Sequence, residues 1–394
     1  MIWDVVVVGG GPAGAAAALG LARQGARVLV VEQRQFPRWK VCGACLSPQA
    51  LAVLQAMGLD HIAAAGVPLE QLQLGVAGCS LPLPLRQGRA LSRHHMDQAL
   101  LQAAADAGAA VRFGSRAELG PVQPGWRELV LHRRGGKERL RAAVVLLAAG
   151  LTHRGPRQEP ALHTRIAPGS RVGAGCVLEG DGAGPPEAYP SGVIHMAVGR
   201  GGYVGAVRVE TGALNLACAF DPAALRRAGG PAPLAVAILA EAGFPPLVEQ
   251  PAEQSWQLTA PLTRRTRPLA GHRLLLLGDA AGYVEPFTGE GMGWALTAAL
   301  ACLPLVRRGL VEWDPALAHD WHQQHRHWVA RRQTVCRGLA LLLRHPTATA
   351  ALQRTAALLP SVAGPLLQRV QHTALPPLIS TPAVPSPLEA APWR

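Results

Sequence analysis

Three glycines near the N-terminus, Gly9, Gly11 and Gly14, stand in the spacing G-x-G-x-x-G. That spacing is what a pyrophosphate asks of a backbone. Gly9 permits a tight turn, Gly11 lets main-chain amides approach the phosphates with no Cβ in the way, and Gly14 lets the next helix lie close to the preceding strand. The phosphates then meet a helix N-terminus and its positive dipole end, with Ala13 in the same turn. Glu32 follows Gly9 by 23 positions (32 − 9). A carboxylate at that distance, at the end of a second strand, accepts hydrogen bonds from ribose hydroxyls, and Gln33 lies beside it. The chemistry predicted is the holding of one dinucleotide, FAD or NAD(P).

A second group reads GDAAGYVEPFTGEGMG over 278–293. Asp279, after the apolar run 274–277, can accept hydrogen bonds from a polyol, and the small residues Ala280, Ala281 and Gly282 leave room for an extended ligand. Gly278 opens this loop. The turn Gly289-Glu290-Gly291-Met292 presents bare N–H groups and a helix dipole. Such a turn would stabilise negative charge on the N1–C2=O edge of a reduced flavin and raise its potential.

Cys42-Gly43-Ala44-Cys45 admits several readings on its residues alone. A redox dithiol would use the helix N-terminus at Pro48 to lower a thiol pKa. Half a zinc site would need a partner pair, and Cys79 and Cys176 stand singly, so no metal is expected. Buried inert thiols are the third reading. His195 and Tyr203 fall in an alternating stretch expected to wall a substrate pocket, where His195 serves equally well as a structural histidine. His319, His322 and His325 share a helix face, and an exposed face is expected for them. Glu290 is expected to cap the helix that follows it, and Glu285 lies beside the same turn.

The elements that must position these groups follow from periodicity. Val5–Val8 is a continuous apolar run suited to a parallel strand buried on both faces. A helix ending near Gly25 and a strand over 27–31 complete a strand–helix–strand unit. Ser47, Pro48 and Gly58 bracket a helix over 48–57. Residues 72–85 read as short strands with Pro82 and Pro84 at an edge, and 92–107 as a helix. The spacing predicts strands over 129–132 and 138–140 around a hairpin tip, and a separate strand over 144–149. From 171 to 220 the chain alternates with glycine breaks, which suits an antiparallel sheet. A helix is predicted over 291–306, amphipathic helices follow from 315, and 375–394 reads as a disordered tail.

Composition narrows the function. With 38 basic and 25 acidic residues the net charge is +13, carried almost wholly by arginine. That favours an anionic partner such as a dinucleotide, a phosphorylated substrate or an acidic lipid surface. The arginines are scattered and no basic arm is present, so nucleic acid is not expected. Seven cysteines without framework spacing argue for reduced thiols. The first strand begins within four residues and no uncharged run reaches a membrane span, so a cytoplasmic protein is expected, with peripheral membrane contact through 329–343 and 349–370 as a secondary reading.

These blocks carry a family resemblance. GGGPAG with Glu32, FPRWKVCGACLSP over 36–48, and GDAAGYVEPFTGEGM over 278–292 resemble the geranylgeranyl-reductase-like branch of FAD-dependent oxidoreductases, which shares its fold with aromatic hydroxylases of the p-hydroxybenzoate hydroxylase type. LSRHHMDQALLQAAADAGA, with Arg93 and Asp97, adds a weaker match. The resemblance implies an α/β fold: a FAD-binding, Rossmann-like parallel sheet of the glutathione-reductase type, an antiparallel-sheet substrate domain and C-terminal helices. The corresponding domains are 1–70, 90–165 and 262–310 for FAD, 71–89 and 166–261 for substrate, and 311–374 for the helices. It implies that Glu32 takes the adenosine ribose, Arg93 the phosphates or ribityl chain, Asp279 the ribityl chain, and Gly289, Gly291 and Met292 the flavin edge. Lys40, Cys42, Gly43 and Leu46 match a K-x-C-G-x-x-L pattern that lines the substrate side of the flavin in related reductases.

One family feature departs. Where hydroxylases carry an Asp-Gly pair, this chain has Ala149-Gly150, which bears on NAD(P)H as electron donor. The activity expected is reduction of a carbon–carbon double bond in a hydrophobic small molecule, with Cys42, Cys45, His195 and Tyr203 as candidate catalytic groups. A monooxygenase acting on an aromatic or polyketide substrate and a non-catalytic flavoprotein or electron relay are the alternatives. Oligomeric state is not legible.

Overall fold

The computed structural model describes residues 2–85, 87–151, 159, 161–180, 187–247, 255–285, 287, 289–358 and 373–377. Val5, Val6 and Val7 have no exposed surface and carry β1 (Ile2–Val8) into the interior. The glycine turn leads into α1 (Pro12–Ala22), an alanine-rich helix buried along nearly its whole length, and β2 (Val28–Val31) returns parallel to β1 with Val28 opposite Val5. After the cysteine loop, α2 (Pro48–Ala56) starts at Ser47, whose hydroxyl accepts from the Ala50 amide. The antiparallel pair β3 (Gln71–Val76) and β4 (Cys79–Pro84) comes next, with Pro82 and Pro84 on a strand that ends its sheet. Then α3 (Arg93–Asp106) and β5 (Ala110–Arg112) extend the first sheet beside β2.

The next three strands differ from expectation. After β6 (Arg116–Val122) and β7 (Arg127–Arg133), β8 runs unbroken over Gly136–Leu147. Its first half pairs antiparallel with β7 and its second half parallel with β1, Val144 opposite Val5. The two predicted strands are one, because the residues between them continue the same pleat from a half-exposed hairpin into the core. A short strand, β9 (His163–Ile166), follows.

The second sheet is built by β10 (Val172–Leu178), β11 (Val193–Gly199), β12 (Gly202–Arg208) and β13 (Leu214–Phe220), covered on one face by α4 (Pro231–Glu241) and closed by β14 (Gln257–Pro261). Its order is β14-β10-β13-β12-β11-β3-β4. All neighbours are antiparallel except β11 and β3, which run parallel. Segments 71–89 and 166–261, expected together, thus contribute to one sheet.

The chain then passes through β15 (Arg264–Arg267) back to β16 (Leu274–Leu276), which joins β8, while β17 (Gly282–Tyr283) pairs with β15. The parallel part of the first sheet has order β16-β8-β1-β2-β5. Helices α5 (Gly291–Val311), α6 (Ala316–His325), α7 (Arg331–Leu342) and α8 (Pro346–Leu358) end the fold. α5 is long and apolar enough to cross a bilayer, yet it lies inside the protein as the core helix packed on α1 and α2. At the junction with the expected tail, the described residues 373–377 meet the fold. Gln49 receives the Ala374 amide at 3.0 Å and donates to the Ala374 carbonyl at 2.8 Å, and Leu375 packs on the main core. Residues 378–394 lie outside the described residues.

Candidate FAD and substrate site

A cavity of about 1170 Å³ opens along the C-terminal ends of the parallel strands and runs on beneath the second sheet. At one end lies the glycine turn. A Cβ on Gly9 would stand 2.3 Å from the Ala148 carbonyl oxygen, and one on Gly14 would stand 1.9 Å from the Gly9 oxygen. Those two glycines are fixed by packing. A Cβ on Gly11 would meet only the tips of Arg93 and Lys40, at 3.8 and 3.9 Å, so this position faces open space framed by two cations. Gly11 is also the N-cap of α1, and no side chain caps the helix. A bare helix N-terminus with two cations across a gap fits a pyrophosphate. Glu32 is buried; it accepts from the Gly10 amide at 2.9 Å and the Arg34 amide at 3.0 Å. Ala13 and Gln33 line the cavity nearby.

The cations are held by a residue whose part the sequence only hinted at. Asp97, on the buried face of α3, receives Arg93 through two bonds of 2.7 and 2.8 Å and Lys40 at 2.5 Å. Burial alone would raise the Asp97 carboxyl, but Arg93 and Lys40 outweigh it and hold the group below the usual carboxylate range. Burial, only partly offset by Asp97, lowers Lys40 to about 8. Lys40 also lies 4.5 Å from the centre of the Phe36 ring.

The end expected to hold the flavin is made by the loop after β16. Gly278 adopts φ +57 and lies close to Ala13, which joins the two expected binding segments directly. Asp279 lines the cavity; burial raises its carboxyl to about 6, against the pull of Arg93 and Lys40. Gly289, at φ +71, sits against Cys45, and Gly291 opens α5 beside the Tyr283 hydroxyl. Met292 lines the same wall. Glu290 does not cap α5 as expected: its carboxylate accepts from the Trp294 indole at 3.1 Å, and no side chain caps the helix. The first amides of α5 are therefore left for a ligand.

Each remaining candidate has a definite place. Cys42, Gly43 and Cys45 all line the cavity. Asn215, which sequence reasoning missed, clamps this loop to the second sheet by donating to the Cys42 carbonyl at 2.9 Å and accepting from the Trp39 indole at 3.3 Å. Burial, and then Cys42, push the Cys45 thiol up to about 12. A thiol so disposed is no thiolate nucleophile near neutral pH, which removes the main support for the dithiol reading. Tyr203 faces the cavity from β12, edge-on to Phe287 with ring centres 5.4 Å apart. Behind it the Arg171 guanidinium lies 5.6 Å from its ring centre and bonds Glu285 at 3.2 Å. Glu285 is thus part of a buried ion pair and does not face the turn.

His195 is a correction. Strand alternation sends Ile194 and Met196 into the cavity and His195 to the opposite face, where it packs edge-on between Tyr189 and Phe244, with ring centres 4.9 and 5.4 Å away. Burial lowers it to about 4, so it is a neutral core residue. The histidine face on α6 is not uniformly exposed either: His325 is buried against Trp321, and burial lowers it to about 4.

Beyond this loop the cavity becomes apolar. Leu72, Leu74, Leu81 and Leu83 from β3 and β4, with Ile194 and Met196 from β11, form one wall. The C-terminal helices form the opposite wall through Leu339, Leu342, Leu343 and Leu352. Gln353 ties α8 down by donating to the carbonyls of Leu74 and Cys79 at 2.9 and 3.0 Å. The sequence reading placed these leucines on short strands and apolar helices; only the fold shows that they border a space.

A parallel sheet with its glycine turn, a second sheet closing a long cavity and an uncapped helix at the far end together define a flavoprotein fold. The FAD binding domain family matches residues 3–152. The chain is similar to the menaquinone reductase of Mycobacterium tuberculosis (strain ATCC 25618 / H37Rv), 31% identical over 377 residues that cover 87% of this chain and 84% of the relative. It is also similar to digeranylgeranylglycerophospholipid reductase 1 of Methanopyrus kandleri, 29% identical over 311 residues covering 75% and 78%. The flavin-dependent brominase Bmp2 superimposes with a TM-score of 0.75 at 17% identity, over 94% of this chain and 95% of that one. The p-nitrophenol 4-monooxygenase PnpA from Pseudomonas putida superimposes at 0.73 with 18% identity, over 93% and 97%. The chain belongs to the geranylgeranyl-reductase-like FAD-dependent oxidoreductases, shares its fold with flavin-dependent monooxygenases and halogenases, and is an FAD-binding enzyme.

Proposed function

We propose that this enzyme reduces a carbon–carbon double bond in a long, apolar, prenyl-type substrate. The observation that carries the reading is the apolar arm of the cavity, which continues from the flavin end between two walls of leucine with no charged group among the residues named above. FAD, when bound, supplies the hydride. Arg93 and Lys40, held by Asp97, would neutralise its phosphates, Glu32 would receive the adenosine ribose, Asp279 the ribityl chain, and the amides of Gly289, Gly291 and Met292 the ring edge. Gly9, Gly14 and Gly278 shape that path, and Gly43 leaves the ring face open. The 1–70, 90–165 and 262–310 segments act as the FAD domain in this reading, and the 71–89 and 166–261 segments hold substrate. Cys42, Cys45 and Tyr203 form the wall where the reacting bond lies. Burial raises the Tyr203 hydroxyl well above its usual value and the Cys45 thiol to about 12, so both stay neutral at neutral pH and keep charge off this wall.

The similarity to a menaquinone reductase and a digeranylgeranylglycerophospholipid reductase supports a prenyl substrate. NAD(P)H as direct donor is the weaker part of the reading, because Ala149 stands in the cavity wall where hydroxylases carry an acid. The test is single turnover of chemically reduced enzyme with polyprenyl quinones and prenyl lipids, read by product mass. A gain of two hydrogens supports the reading. A gain of one oxygen with air supports the monooxygenase reading instead, and no product with either substrate class or with phenols would leave the non-catalytic reading.

A further inference from the structure

A second cavity lies behind the Asp279 loop, independent of the reading above. It is small, about 180 Å³, and is bordered by Arg265, Arg267, His322, Arg326 and Arg337. Among the described residues no carboxylate lines it. Its floor includes Ala281 and Gly282, two and three residues past Asp279. That floor is pinned by Thr266, which donates to the Ala280 carbonyl at 2.8 Å. Thus the front of this loop faces the flavin end, and its back faces a ring of cations.

The ring gathers charge from three elements. Arg265 and Arg267 alternate outward from β15, and the pairing of β9 with β15 sets Arg165 opposite Arg265 and His163 opposite Arg267. Like charges placed directly opposite are destabilising. Arg337 comes from α7, and Arg326 from a π-helical turn, Arg326–Ala330, that interrupts the passage from α6 to α7. π-turns inside helices are costly and recur at functional sites. Among the described residues, none of these four guanidinium groups has a hydrogen bond or ion pair. Asp320, on the helix that carries His322, is already engaged by Arg308 at 2.8 Å. The mutual repulsion shows in the titration: burial, then Arg267 and Arg337, lower Arg265, and burial, then Arg267, Arg265 and Arg326, lower His322.

We propose that this second cavity binds a phosphate group, held by the guanidinium groups of Arg265, Arg267, Arg326 and Arg337. A guanidinium presents a planar fork matched to phosphate oxygens, and several converging on one concave site without a carboxylate select a compact anion of high charge. The cavity is less than a sixth the volume of the first, about 180 against 1170 Å³, which suits a compact anion. The phosphate is that of a soluble small molecule or of a lipid headgroup.

The test uses FAD-loaded enzyme at fixed ionic strength, titrated calorimetrically with inorganic phosphate, diphosphate and dihexanoyl phosphatidic acid. Saturable one-site binding of at least one of these is expected, weakened tenfold or more in R265Q/R337Q and unchanged in R200Q, a fully exposed arginine remote from the site. Tighter binding of the phosphatidic acid assigns the lipid source, and tighter binding of the inorganic ions the soluble one; both support the site. No saturable binding of any probe, or equal weakening in R200Q, overturns it. Melting gives a second readout. Without phosphate R265Q/R337Q should melt higher than wild type, because the repulsion is relieved, and phosphate should raise the melting temperature of wild type only. A variant that melts lower and still responds to phosphate overturns the proposal, and R326Q repeats the binding test through the exposed π-turn.

Discussion

Gly11 and Gly14 differ at the scale of one atom, and the difference is measurable. A methyl on Gly14 collides with the Gly9 carbonyl at 1.9 Å, so Gly14→Ala must shift the helix and should lower the melting temperature by several degrees. Gly11→Val adds bulk only toward the cavity. It should leave the apo melting temperature nearly unchanged while weakening FAD at least tenfold, read by flavin fluorescence titration. Asp97 makes the converse case. Asp97→Asn takes from Arg93 and Lys40 the carboxylate that both bond, a loss of about 3–5 kcal/mol by analogy with broken buried pairs. Urea unfolding should show most of that loss in the apo protein and less with FAD, whose phosphates would replace the lost charge. Asp279 gives a pH signature. Its folded value of about 6 lies above the ordinary 3.8, so the folded state keeps a proton that the unfolded state has released between those values. The associated stability is fully present below about pH 3.8 and is lost as the pH rises through 6. Apo Asp279→Asn should therefore melt higher than wild type at pH 7.5, and the gap should narrow by about half at pH 5. These residues were legible because glycine spacing and an acid after an apolar run are local signals. His195 was misread because only strand register says which face a side chain takes, and Asn215 was missed because its two partners are more than 170 positions away.

At the scale of elements, local patterns served well where one strand or helix buries itself with its neighbours in sequence. The first strand–helix–strand unit, Ser47 at the start of α2 and the proline-bearing edge strand β4 all follow from such patterns. β8 did not, because one strand has two partners of opposite direction and its period changes midway. The C-terminal helices were read as apolar and helical, but nothing local says that α7 and α8 roof a cavity and do not pack on a closed core. That roof makes a prediction. Met196 projects from β11 into the apolar arm, and its methyl lies 3.3 Å from where a Cβ on Gly205 would stand. Met196→Trp should obstruct the arm, raising KM for a long prenyl substrate tenfold or more while FAD content and the rate with a short-chain analogue stay close to wild type. Gln353→Ala removes two bonds that hold α8 to the second sheet and should cost about 1–2 kcal/mol.

For the whole molecule the decisive feature is that one continuous cavity has a polar and an apolar end, which in the proposed reading serve cofactor and substrate. The polar end is framed by charged and glycine-rich segments of the first sheet, the apolar end by β3, β4, β11 and the terminal helices, and the cysteine loop crosses between them under the Asn215 clamp. Neither sheet alone encloses the space, so the site forms only when the chain has crossed between them. Binding energy gathered along the apolar arm is remote from the reacting bond, and remote contacts can be used to orient that bond at the flavin. Burying a methylene contributes about 0.8 kcal/mol, so each five-carbon unit that enters the arm should be felt in kcat/KM. A series of substrates differing only in prenyl length should show kcat/KM rising at least tenfold per added unit and then levelling once the arm is full. Met196→Trp should move that plateau to a shorter chain. A flat series would mean that the arm does not hold the substrate, and the double-bond reductase reading would lose the observation it stands on.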